Sequence, residues 1–89
     1  MKQELALILR NSREQSGLTQ SAVAEKLGYA TPQSIGNWER GISWPPIKTL
    51  RKLSRMYKVD ENKFLREFMK LKVSEFESKL ERTMFPKGK

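Results

Sequence analysis

Apolar residues recur along this chain every three to four positions, and glycine or proline interrupts the rhythm at intervals. Leu5, Ile8 and Leu9 line one side of a first helix, which Gly17 stops. Thr19 is suited to cap a second helix whose inward face is Val23, Ala24 and Leu27, and Gly28 ends it. Thr31 followed by Pro32 reads as the cap and first-turn proline of a third helix. Ile35 and Trp38 face inward on that helix, and Gly41 closes it. Residues 42–46 (ISWPP) cannot be helical, because two successive prolines restrict the residues before them. A fourth helix follows from Ile47. Leu50, Leu53 and Tyr57 share one side of it, and Lys48, Arg51, Lys52, Arg55 and Lys58 cover roughly the opposite third. Asp60 then caps a long final helix over about 61–83, with Pro86 as its stop and Lys87, Gly88 and Lys89 as a frayed tail. The pattern predicts an all-α fold of five helices, with no internal repeat and no flexible linker.

Composition narrows what such a fold can do. The 89 residues suffice for one modest core. No cysteine is present, so neither disulfides nor thiolate metal sites hold it together. The longest unbroken apolar run, residues 5–9, is far short of the roughly 20 needed to span a bilayer. The start does not pattern as a signal peptide, and the cytoplasm is the expected compartment. Eighteen Lys and Arg against ten Asp and Glu leave a net charge of +8. That balance favours polyanions, nucleic acid before membrane surfaces. The basic face of the fourth helix is backed by core residues and not by an exposed apolar face, which argues against a surface-membrane role.

Catalysis finds little support. With no His and no Cys, the usual general base, thiol nucleophile and nitrogen or sulfur zinc ligands are missing. The five glycines, at 17, 28, 36, 41 and 88, form no phosphate-cradling loop. No cofactor and no metal are expected, and the chain does not read as an enzyme.

The second and third helices are short and joined by Gly28, Tyr29 and Ala30, which is the build of a helix-turn-helix. Ala24 sits where the two helices approach closely. The residues that follow one another here are Gly17-Leu18-Thr19-Gln20, then Val23-Ala24-Glu25-Lys26-Leu27-Gly28, then Ser34-Ile35-Gly36-Asn37-Trp38-Glu39-Arg40-Gly41. Together they resemble the helix-turn-helix signature of the Cro/repressor (XRE) family. Pro45, Leu50, Leu53 and Val59 continue the likeness, which runs from about Leu5 to Phe64. The span from Gly28 to Ile35 is one residue longer than is usual in that family. Gly36 also departs, since a glycine inside a helix costs about 1 kcal/mol relative to alanine.

The resemblance implies that the third helix lies in the major groove of duplex DNA, its N-terminal residues meeting base edges. Pro32, Gln33 and Asn37 occupy those positions. The two amides could pair bidentately with adenine, and Pro32 could offer apolar contact to a thymine methyl. Gln20, at the start of the second helix, matches a phosphate anchor. Thr31, Ser34, Arg40, Ser43 and Lys48 are placed as further backbone contacts that position the helix. Arg13 and Glu39 match an ion pair buried between the first and third helices, a structural element that reads no base.

The final helix is longer than the family's domain requires. Phe64, Leu65, Phe68, Met69 and Leu71 form an arc suited to closing the core. Met69, Val73, Phe76, Leu80 and Met84 form a second, narrower stripe, rotated from the first. These features divide the chain into a DNA-binding domain, 1–64, and a C-terminal extension, 65–89, whose stripe a second copy of the chain would cover. The expected function is a transcriptional regulator, a repressor acting as a homodimer on a two-fold symmetric operator. Two alternatives stand beside it. One is an antitoxin that controls its own operon and covers the stripe with a toxin. The other is a helical protein-interaction module without DNA binding.

Overall fold

The computed structural model describes residues 2–84, with side chains from Glu4 onward. Five helices follow one another: α1 (Lys2–Gln15), α2 (Gln20–Leu27), α3 (Gln33–Glu39), α4 (Ile47–Tyr57) and α5 (Glu61–Met84). No strand occurs among the described residues. The expected stop at Pro86 and the tail beyond it lie outside them.

The boundaries follow from local chemistry. The Thr19 hydroxyl accepts from the Ala22 backbone N–H at 3.0 Å and so supplies one of the partners a helix start lacks. Gly28 takes φ 82°, a left-handed conformation open to glycine at little cost. There its N–H reaches the Glu25 carbonyl and that of Tyr29 reaches Ala24, which ends α2. Gly41, at φ 76°, does the same for α3, with the Ile42 N–H donating to the Asn37 carbonyl at 2.9 Å. Asp60 accepts from the Asn62 N–H at 3.0 Å and opens α5. α4 ends not at a glycine but on Lys58, which holds φ 57°.

The start of α3 differs from the expectation by one residue. The Pro32 carbonyl accepts the first helical bond, from Gly36, so Pro32 itself stands at the cap and Gln33 begins the helix. The residue before a proline is pushed out of the helical region, which keeps Thr31 in the loop. Its hydroxyl accepts a long contact, 3.4 Å, from the Gln33 N–H.

One core joins all five helices. Leu5 and Leu9 of α1, Val23 and Ala24 of α2, Ile35 and Trp38 of α3, Leu50, Leu53 and Tyr57 of α4, and Phe64, Phe68 and Leu71 of α5 are buried together. Tyr29, in the α2–α3 connection, meets Trp38 edge-on with ring centroids 6.1 Å apart. That contact holds the turn against the inner side of α3. Met69, expected in the core arc, is 63 % exposed. Phe68 and Leu71 already fill that side of α5, and Met69 faces away from it. The expected boundary after residue 64 falls inside α5, which continues unbroken and still contributes Phe68 and Leu71 to the core.

Candidate nucleic-acid interface

With Ile35 and Trp38 anchored inward, α3 turns a second face to solvent. Positions 33, 36, 37 and 40 fall on that face by helical spacing, with Gly36 itself buried there beneath Arg40 and Gln20. Gln33 and Ser34 are exposed, and Pro32 and Asn37 are half-buried. Gln20, Thr31, Pro32, Gln33, Gly36 and Arg40 line one shallow depression in the surface. All but Gly36 are residues that the family resemblance implies as DNA contacts. Ser43 and Lys48 are exposed but lie beyond the depression, on the α3–α4 loop and the first turn of α4.

Beneath this face, Arg13 and Glu39 form a forked ion pair. Arg13 Nε donates to Glu39 Oε2 at 2.7 Å and Nη2 to Oε1 at 3.0 Å, while Nη1 donates to the Leu18 carbonyl at 2.8 Å. The side chains are only 11 % and 4 % exposed. Two parallel bonds fix the relative orientation of α1 and α3, as a planar guanidinium does with a carboxylate. The bond to Glu39 raises the Arg13 pKa above its ordinary value, against an opposing desolvation effect. Burial likewise pushes the Tyr57 phenol up, with the Glu39 charge adding to the effect and Arg13 opposing it.

Gln20 belongs to the same network. Its Nε2 donates to Glu39 Oε1 at 3.0 Å. The amide at the start of α2 therefore braces the carboxylate at the end of α3, a link that spacing alone did not suggest.

Arg40 also folds back onto α3. Its Nη2 donates to Asn37 Oδ1 at 2.7 Å, so the side chain runs back along α3 by one turn. The path is open because Gly36 has no side chain. A Cβ built on Gly36 would stand 3.1 Å from Arg40 Nη1 and 3.5 Å from Gln20 Oε1. The obstructing atom is the end of a flexible, exposed side chain, which can shift at little cost. Gly36→Ala is accordingly expected to stabilise the fold by about 0.5–1 kcal/mol through helix propensity. A urea midpoint at or below that of the wild type would show that Arg40 cannot yield.

The likeness to known proteins agrees with this geometry. The helix-turn-helix family HTH_3 matches residues 9–64, well over half of the chain. This chain belongs to that family. An HTH_3 family transcriptional regulator from Vibrio cholerae, solved by crystallography, shares 31 % identity and superposes with a TM-score of 0.59. The alignment covers 79 % of this chain but 39 % of that one, so the HTH_3 chain described here spans about two fifths of the other's length. No curated protein matches the chain at a significant level. Within the HTH_3 fold, α2 and α3 form the helix-turn-helix and α3 takes the place of the recognition helix.

The family match stops at residue 64, and α5 continues for another 20 residues. Along that stretch Met69, Val73, Phe76, Leu80 and Met84 are between 44 % and 64 % exposed. They lie on the side of α5 turned away from Phe64, Phe68 and Leu71. Among the described residues no group of side chains could hold a metal ion, and no helix is long and apolar enough to cross a membrane.

Proposed function

We propose that this chain is a sequence-specific, duplex-DNA-binding transcriptional regulator, a repressor that docks α3 in the major groove. The observation that carries the reading is the outward face of α3. There Pro32, Gln33 and Asn37 stand beside Gln20 and Arg40, on a helix clamped from behind by the Arg13–Glu39 fork. Gln33 and Asn37 read base edges; Thr31, Ser34, Ser43 and Lys48 supply phosphate contacts, drawn by the net charge of +8. The role is one of binding and needs no catalysis, cofactor or metal. A regulator of this kind works in the cytoplasm, where its operator is.

Residues 1–64 form the DNA-binding part in this reading, and residues 65–89 carry the contact between two copies. The charges beside the α5 stripe favour a parallel pair. By helical spacing Lys72 flanks the stripe on one side and Glu77 on the other, five residues on. In a parallel arrangement each Lys72 faces the Glu77 of the other copy. An antiparallel arrangement would set the flank carrying Lys72 and Lys79 against itself. Two α3 helices related by such a two-fold axis match a palindromic operator, with half-sites about 34–36 Å apart.

The test is a titration into labelled fragments from the protein's own locus, at two salt concentrations, beside the Gln33→Ala, Asn37→Ala double variant. The wild type is expected to prefer one fragment and to weaken as salt rises. The variant is expected to lose the preference, each amide contributing about 1–3 kcal/mol of discrimination, while keeping residual non-specific binding. No preferred fragment, with wild type and variant alike, would reject the reading and leave a protein-interaction role through α5.

A further inference from the structure

The DNA-facing surface of α3 contains a group whose position changes what the helix can recognise. Arg40, the C-cap residue just past α3, stands at the far end of that face, where a recognition helix rises away from the base edges. Helical side chains, however, lean toward the N-terminus and cover the turn before their own Cα. Here nothing blocks that lean, because position 36 is glycine and its missing Cβ would lie 3.1 Å from the guanidinium. Arg40 thus delivers its charge one turn nearer the N-terminus of α3, between Gln20 and Asn37.

The bond between Arg40 and Asn37 also sets the polarity of this patch. Nη2 of Arg40 holds Asn37 Oδ1 at 2.7 Å, which turns the Asn37 amide nitrogen away from Arg40. A bidentate contact with adenine needs both the oxygen and the nitrogen of an asparagine. With the oxygen engaged, Asn37 and Arg40 together present donors. Guanine is the base whose major-groove edge offers two acceptors side by side, O6 and N7. We propose that Arg40, laid over Gly36 and tied to Asn37, is a base-reading residue that selects guanine in each half-site. The inference rests on the proposed DNA-binding function and deepens it.

A phosphate contact by Arg40 is the competing outcome, and the two roles leave different signatures. Losing a phosphate contact weakens all sequences alike and lowers the salt slope by about one, whereas losing a base contact relaxes one position of the site. The experiment is selection from a library of randomised duplex DNA by the full chain and by Arg40→Ala and Arg40→Lys. The lysine variant keeps the charge but loses the planar fork. The wild type is expected to recover a motif with an invariant guanine in each half-site. Both variants are expected to lose that guanine preference by about 10-fold or more and to retain the rest of the motif. Thermal melts of both variants, expected to match the wild type, exclude misfolding as the cause.

Three results would overturn the proposal. A wild-type motif without guanine refutes the role of Arg40 and leaves the regulator reading standing. A motif that both variants recover unchanged, with affinity lowered evenly in Arg40→Ala, makes Arg40 a phosphate contact. A wild type that enriches no motif at all removes the DNA-reading function itself.

Discussion

Replacing Glu39 by alanine is expected to destabilise the protein by about 3–5 kcal/mol, a large part of what holds a small domain together. The cost arises less from the lost attraction than from what remains. Arg13 would keep its burial, with only 11 % of its side chain exposed, but lose two of its three hydrogen bonds. Gln20 Nε2 would lose its acceptor as well. Urea unfolding of Glu39→Ala, Arg13→Ala and the double variant measures the effect. If burial of a charge left with only the exposed Glu14 carboxylate, 4.0 Å away, is the cause, the double variant is less destabilised than the sum of the singles. A loss below about 1 kcal/mol for Glu39→Ala would mean that water reaches Arg13 freely and that the fork is an ordinary surface pair.

The second large effect is expected at Phe76. In the proposed dimer Phe76 lies mid-stripe, 64 % exposed in the single chain. Phe76→Glu would set two carboxylates against each other across the two-fold axis and is expected to leave a monomer. The described core does not include Phe76, so helicity and thermal stability of the isolated domain should change little. Affinity for a palindromic site should fall by about 100-fold or more, because the second half-site no longer adds its binding to the first. Sedimentation of the variant beside wild type, followed by titration of a two-site and a one-site duplex, checks both statements. A wild type that sediments as a monomer would overturn the dimer, and a protein co-purifying on the stripe would favour the toxin-binding alternative.

Much of this architecture was legible in the chain, and the reasons are local. Thr19, Gly28 and Gly41 act within a few residues of themselves, so a cap or a left-handed turn needs no knowledge of the fold. Ile35 and Trp38 followed from spacing, since a short helix with two large apolar residues has one way to face a core. The Arg13–Glu39 pair is separated by 26 residues and was visible only through the family resemblance. What escaped the sequence depends on where long side chains settle. Gln20 and Arg40 each have several rotamers within reach of several partners, and only the assembled surface decides among them. Met69 fitted two helical faces by spacing, and the packing of Phe68 and Leu71 settled which one it takes.

α5 enters the core at Phe64 and carries its outer stripe to Met84 without a glycine, a proline or any other break. A dimer built on it would have no joint between the part that meets the partner and the part that meets DNA. The two reading heads would then be fixed in phase as well as in distance. One base pair inserted between half-sites turns the second by about 35° around the duplex axis, since a turn takes 10–10.5 base pairs. A stiff rod cannot follow that rotation. Such a protein would measure the pitch of its operator as strictly as its letters.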